Sequence, residues 1–529
     1  MSGTAAPQEN EPRSFTRFVL PFGYTLRPDP DAGSAKASTP RYVADEPPPA
    51  ERLLYLTGET RQVLFDRAVW LRLEGKDVDF HFKWEIPGGQ CTALDLHRKP
   101  PRLVLFEHAA AELEGPMNVG FLLLDIVVDR KIAPDSLDSL LHFNELFRYF
   151  GEPFRGHALQ KDLGVSIREY LAGAEAAVET LGCCTDRLYG GRWESLLSFP
   201  LQIKGQVLRL DATIRRSAEH PSPAIHPDNR AFVWTAAVMD QGAGALQDRW
   251  TGDLRKPESF GQWIHFLNVD APKSWPTKTH EARTDFEIEW ARKRTYYRWA
   301  EFGSWYGFCY HSGAAIIPPE CDPPLWQHWS GMYFDQVLLL LYVRTAAFAF
   351  SSRLSTISAE ARKRGYESRQ WLADEFAELR WQFALFTNLY RFPLLSNQQQ
   401  GLEMYVLARK RMDADELFEE VDEEIRNCDE YLASYTQTKQ AKASTVLNLV
   451  AMVGLVLGIG LALVQAGLPL PWLRHDPKDL EKWSSFFWGA GLTFVLGVLA
   501  IVCWRPLQSA TERLVRLSSA GMSKRKGKR

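Results

Sequence analysis

Two stretches near the end of this 529-residue chain carry no charged side chain, and they constrain its architecture more than any other feature. The first runs from Ala443 to Leu473 around the apolar core Val446–Val464, and the second from Trp483 to Trp504. A bilayer core of about 30 Å is crossed by about 20 apolar residues at ~1.5 Å each, so two spans are expected, over 443–466 and 484–504. Trp472, Trp483, Trp488 and Trp504 flank them as interfacial aromatic residues do. The link, Arg474–Lys482, is short and polar, which makes the pair a helical hairpin with both ends on one side. Ten Lys and Arg flank the hairpin (Lys439, Lys442, Arg505, Arg513, Arg516, Lys524, Arg525, Lys526, Lys528 and Arg529) against Arg474, Lys478 and Lys482 in the link. The positive-inside bias then puts both termini in the cytoplasm. The chain's first residues show no apolar signal segment, so a cytosolic body ahead of the hairpin is expected.

That body is globular in composition: 45% of residues are hydrophobic and 24% charged. A net charge of -3 supplies no basic field for a nucleic-acid polymer. Seven scattered cysteines fit reduced thiols rather than a disulfide framework. Residues 1–50 read as a largely disordered leader, rich in Pro, Ser, Ala and charge apart from the apolar Phe15–Phe22. Arg102–Phe106, Gly120–Val128, Gln206–Leu210 and Ala231–Met239 read as strands, and Ser136–Phe150 has helical spacing. Interleaved strands and helices predict an α/β cytosolic domain over 51–320.

From about 325 the pattern is helical, and 321–442 reads as a stalk. Gln336–Phe350 is apolar but short and carries Arg344, which predicts a buried helix rather than a third span. Between Pro393 and Pro469 there is no proline, so one unbroken helix from about 400 to 465 is expected. Its apolar stripe is Leu417, Val421, Ile425, Cys428, Leu432 and Tyr435. Asp413–Glu430 holds ten acids in 18 residues, opposed within the stretch by Arg426 alone. Such a run is a solvated face or, repeated around a ring, a negative vestibule that concentrates cations. Glu416, Glu420, Asp422 and Glu423 are then candidate ligands for a regulatory divalent cation between copies.

In the first span a stripe of Asn448, Met452, Leu455, Ile459, Ala462 and Ala466 has helical spacing, with Gln465 near its outer end. A polar side chain in lipid faces a neighbour or a water path. Asn448, Met452, Leu455, Ile459, Ala462 and Gln465 are therefore the candidate pore-lining residues. Asn448 would coordinate a hydrated cation, and Met452 with Leu455 would gate by dewetting; the alternative for Asn448 is a bond across a helix interface. Gly454 and Gly458 form a GxxxG, which speaks only of close helix packing. No Walker A loop, GxGxxG, HExxH or CxxC occurs, Cys183–Cys184 are adjacent, and the twelve histidines show no metal spacing. No catalytic constellation emerges, and neither an enzyme nor a resident cofactor is expected.

A soluble α/β body, a very long helix into a first span, a short outer link, a second span and a basic tail (505–529) together resemble the CorA family of divalent-cation transporters. At residue level the likeness lies in Tyr296–Phe308 with His311–Ser312, in Phe392–Gly401, and in the acidic stretch with the hairpin. The resemblance implies a homopentamer in a bacterial inner membrane, moving cations such as Mg2+ under control of the cytosolic domain. The family's Gly-Met-Asn motif is absent: the outer end of the first span reads Leu463-Val464-Gln465-Ala466-Gly467. Selectivity residues therefore do not carry over. Two further readings stand beside transport: a membrane effector of antiviral defence gated by a nucleotide ligand on the cytosolic domain, and a non-conducting membrane-anchored scaffold.

Overall fold

The computed structural model describes residues 12–28, 42–86, 90–106, 118–128, 137–150, 158–159, 193–213, 230–240, 257–270, 285–320, 324–364, 369–392 and 394–465. The expected link, second span and basic tail lie outside them, as does Ala466. Contacts divide the chain into two units, 1–430 and 431–529.

Fourteen described strands make one sheet, and seven of them close into a barrel. The ring runs β1 (Phe15–Pro28), β10 (Gln206–Thr213), β9 (Leu201–Ile203), β2 (Tyr42–Ala44), β3 (Val69–Leu73), β6 (Arg102–Phe106) and β7 (Val119–Val128), which returns to β1. β1 changes partner along one edge: Phe15–Val19 pair with β11 (Phe232–Val238), and Gly23–Pro28 pair with β10. Pro21 falls in the gap between the two, where a residue without N–H is tolerated. From β11 the sheet continues through β14 (Ser312–Ile317) and β13 (Trp305–Cys309) to β12 (Thr295–Tyr296). From β7 it continues through β5 (Gln90–Arg98) and β4 (Val78–Ile86) to β8 (Ala158–Leu159). The pairs are antiparallel except β11–β14 and β2–β9.

The period-two alternation of β1 decides which layer each side chain enters. Phe18, Leu20, Phe22 and Tyr24 belong to the main core. There Phe18 meets Phe143 of α2 (Leu137–Phe147) at 6.0 Å between ring centroids. Phe15 and Arg17 point the other way, against Trp326 and Phe334 of α5 (Leu325–Arg364). Helix α1 (Ala50–Leu54) precedes these elements; α3 (Pro257–Asn268) and α4 (Asp285–Arg294) lie between α2 and α5 in sequence. Helices α6 (Arg369–Tyr390), α7 (Gln399–Arg411) and α8 (Ala414–Gln465) follow α5.

Three expectations need correction. Residues 1–50 are not simply a leader, because Phe15–Pro28 and Tyr42–Ala44 are barrel strands. The partners of Phe15–Pro28 lie about 100–220 positions away, and those of Tyr42–Ala44 about 30 and 160, beyond the reach of local pattern. The helices from 325 to 430 are not a separate stalk: they belong to the same unit as the sheet. Phe106 of β6 stacks on Tyr342 of α5 at 4.3 Å, and Tyr342 meets Tyr390 of α6 at 4.8 Å. Nor is the helix from 400 unbroken. It stops at Arg411 and restarts at Ala414, with Asp413 at φ 50°. A short polar side chain is among the few that accept this left-handed backbone, so no Gly or Pro was needed to end α7.

Among the described residues the helix long and apolar enough to cross a membrane is α5, and 78% of its most apolar window is buried in the protein. Its apolar residues cover the sheet instead. Near its start Trp329 stacks on Trp234 of β11 at 3.7 Å between centroids. Each indole N–H is satisfied by the other segment's backbone: Trp234 Nε1 donates to the Trp329 carbonyl and Trp329 Nε1 to that of Thr235. A Cβ at Gly313 would overlap the Trp234 ring. Gly313→Ala is therefore expected to destabilise the protein by about 1–3 kcal/mol through overpacking, read as a lower denaturant midpoint. An unchanged midpoint would show that the stack can shift.

Candidate functional site

Helix α8 carries both groups of candidate residues. It is 52 residues long, about 78 Å at ~1.5 Å per residue. Its first turns are amphipathic. Phe418, Val421 and Ile425 are buried, and Phe418 lies 5.3 Å from Phe383 of α6 with Arg391 above its ring at 3.9 Å. Glu416, Glu420 and Glu423 share the opposite face and are exposed. Asp422 is instead engaged by Arg426 Nη2 at 2.8 Å, one helical turn on. Asp415 binds Arg409 Nε at 2.8 Å across the α7–α8 break. Among the described residues of one chain, no three His, Cys, Asp or Glu side chains converge on a metal-sized site. The four acids are thus not brought together within a protomer, and a ligand role for them requires a second copy.

Beyond residue 430 none of the described side chains of α8 is fully buried. Val446, Leu447, Val450, Met452 and Leu455 are 48%, 69%, 49%, 63% and 64% exposed. At about 100° per residue these positions cover about two thirds of the helix circumference, and Leu449 and Val453 on the remaining side are half-buried. Asn448 is also exposed. Ile459, Ala462 and Gln465 continue the helix, and their side chains lie outside the described set. An added Cβ at Gly454 or Gly458 would meet no atom of the chain within 4 Å, so the GxxxG faces open space. The hydroxyls of Thr438 and Thr445 donate to the carbonyls of Ser434 and Ala441, each at 2.8 Å, satisfying themselves within the helix.

The α7–α8 break is held by a residue that sequence reading treated only as a mark against a membrane span. Arg344 of α5 is 8% exposed, and its Nη1 donates to the carbonyls of Tyr310 (2.7 Å) and Met412 (3.5 Å). Burial pulls its guanidinium below the ordinary arginine value, with Tyr310 and Asp413 opposing. Met412 itself is fully buried. The chain is therefore pinned at the residue before the left-handed Asp413.

Two of the segments behind the resemblance are tied to neighbouring elements. Tyr296 Oη and Arg298 Nη1 both donate to Glu403 of α7, whose carboxyl is lowered chiefly by the Tyr296 bond. Ser396 pairs with Leu56 in an isolated bridge, and its Oγ donates to the Tyr55 carbonyl at 2.7 Å. These residues latch α7 to the sheet edge and to the segment after α1.

A buried ion-pair network was not anticipated. Asp125 of β7 accepts from Arg17 Nε of β1 and from Arg102 of β6 through Nη2 (2.7 Å) and Nε (3.1 Å). Asp45 lies 3.5 Å from Arg102, and Asp335 of α5 binds Arg52 of α1. Burial works against the Asp125 carboxylate, yet Arg102 and Arg17 hold it well below the usual range. Burial lowers Arg17 to about 10, whereas Asp125 and Asp45 more than offset burial for Arg102. The available signal was a lone charge inside each of two apolar strands. The network joins barrel wall to helix, and its positive and negative groups are matched.

Comparison of the chain with protein-family models, with curated proteins and with solved structures finds no match in any of the three.

Proposed function

We propose that this protein is a membrane-inserted, self-assembling cation conductor whose first span is the 443–466 part of the chain. The 1–430 unit then acts as its cytosolic regulatory domain. The observation that carries the reading is the apolar girdle at 446–455, exposed over most of the circumference of α8. A large apolar side chain left in water forgoes about 1.5–3 kcal/mol, and a helix apolar all round belongs inside protein or lipid. A helix satisfies its own backbone bonds, so lipid is a suitable cover. The uncharged second run, Trp483–Trp504, supplies the return span.

One such hairpin encloses no path, so conduction requires several copies; the pentamer and Mg2+ as cargo rest on the CorA resemblance. The exposed Glu416, Glu420 and Glu423 favour a cation over an anion, since carboxylates repeated around an axis raise the local cation concentration.

Full-length protein in liposomes tests this directly. Spontaneous Mg2+ uptake is expected, and Asn448→Leu should reduce it about tenfold if the amide ring supplies ~1.4 kcal/mol at the barrier. Flux that appears only with an added nucleotide would replace transport with a signal-gated effector. Absence of flux under all conditions would leave the membrane scaffold.

A further inference from the structure

The chain just after α1 and the chain just before α7 are clasped together. The Thr57 N–H donates to the Leu395 carbonyl and the Asn397 N–H to that of Tyr55, each at 3.1 Å. The Tyr55 carbonyl also accepts from Ser396 Oγ at 2.7 Å, and the Asn397 side-chain amide reaches the carbonyls of Leu54 and Leu56 at 3.4 Å. Leu56, Leu395 and Ser396 are buried. The clasp bears on α7, because a Cβ at Gly401, in its first turn, would meet Ser396 Oγ at 2.5 Å and Gln336 Nε2 of α5 at 3.0 Å.

His328, in the first turn of α5, packs against this clasp. Its imidazole lies between two tyrosines, 5.1 Å from the Tyr55 ring and 6.1 Å from the Tyr333 ring between centroids, at 69° and 75° to them. It is half-buried, and neither ring nitrogen has a hydrogen-bond partner among the described residues. The charged groups of the surrounding elements are committed elsewhere. Arg52 of α1 binds Asp335 of α5, Arg61 donates to the Leu56 carbonyl, Arg17 of β1 holds Asp125, and Arg298 with Tyr296 holds Glu403 of α7. Glu51 and Glu59 are exposed. Tyr333 is pushed up to about 12, chiefly by burial. Burial alone lowers His328 from the ordinary imidazole value of 6.5, and no carboxylate offsets it. The ring is therefore a poor proton acceptor while the clasp is shut and an ordinary one once water reaches it.

We propose that His328 is a proton-operated latch: in acid its protonated ring parts from Tyr55 and releases the 54–57 and 395–397 segments, freeing the start of α7. The shut form holds the proton more weakly than the open form. It is therefore fully favoured above about 6.5 and weakens as pH falls from there toward the lowered folded-state value. One proton taken up per opening limits the effect to about tenfold per pH unit. Any effect on conduction rests on the reading in the preceding subsection, since α7 leads through the break to α8; the latch itself does not.

Amide hydrogen exchange of the full-length chain in detergent, corrected for intrinsic rates, tests this between about pH 7.5 and about pH 5.5. Protection of the Thr57 and Asn397 amides is expected to fall by about three- to tenfold in the parent, relative to the amides of β14 as internal reference. It should stay level in His328→Phe, which keeps an aromatic ring but binds no proton, and in His328→Gln, which keeps a polar side chain. Level protection in the parent, or an equal fall in both variants, overturns the latch. So does protection that rises in acid, which would mean that the tyrosine faces hold the imidazolium. An acid response of the clasp with liposome flux absent or indifferent to pH would overturn only the link to conduction.

Discussion

Asp125→Asn is expected to lower the unfolding free energy by about 3–5 kcal/mol, the usual cost of leaving buried charge without its partner. The amide keeps the shape of the side chain but offers one oxygen to two guanidinium groups and turns donors toward the other. Arg102 retains Asp45 at 3.5 Å, and Arg17 retains only the Phe334 ring and a weak 3.3 Å bond to the Ser330 carbonyl. Denaturant titration of parent and variant measures the difference. The pH dependence has a definite sign. The folded-state pKa of Asp125 is depressed, so its stabilising contribution is fully present above the unfolded carboxylate value of ~3.9. It is lost as pH falls through the lower folded value. The variant should lack this acid-limb contribution and lie below the parent at pH 7. A control separates the worth of the network from the cost of breaking it: Arg17→Met with Asp125→Leu and Arg102→Met should recover much of the loss, as apolar replacement of buried ion pairs often does. An Asp125→Asn midpoint within error of the parent would mean that water reaches the pair.

Placing charge in the girdle tests the membrane assignment with a comparably large effect. Val450→Asp together with Val453→Asp is expected to add about 5–7 kcal/mol to insertion, from ~2.5–3.5 kcal/mol per charge at the middle of a span. The first segment should then stay out of the bilayer and carry the 474–482 link with it. A cysteine at position 479 reports this. In otherwise parental protein it should react in intact cells with a membrane-impermeant maleimide, and in the doubly charged variant it should not. Both positions lie after residue 430, outside the unit that holds the barrel, so near-ultraviolet dichroism of that unit should be unchanged. Labelling that persists, or that never occurs in the parental background, would remove the span.

Local elements were legible where the pattern is local. Arg102–Phe106 is β6 as read, Gly120–Val128 is β7 less its first residue, and the helix expected over 136–150 is α2 at Leu137–Phe147. Each is an apolar run or a helical stripe bounded by polar residues, which the eye reads without knowing what covers it. The closure of the barrel was not legible. It depends on Phe15–Val19 finding β11 and Gly23–Pro28 finding β10, and nothing in an apolar heptad names a partner two hundred residues away. The α7–α8 break was hidden for a different reason. Asp413 is one of many acids in its stretch, and its left-handed backbone follows from the buried Met412 and from Arg344, a residue distant in sequence.

The candidate residues divide along the same line. By itself the sequence determined that 443–473 and 483–504 are uncharged, that the acids crowd into 413–430, and that α8 continues as a helix to Gln465, because composition and period belong to a single segment. Only the tertiary structure decided that Asp125 lies between Arg17 and Arg102, that α5 is spent on covering a sheet, and that Arg344 of α5 binds the carbonyls of Tyr310 and Met412. Charges and rings far apart in the chain become neighbours only once the sheet has placed the strands and helices that carry them.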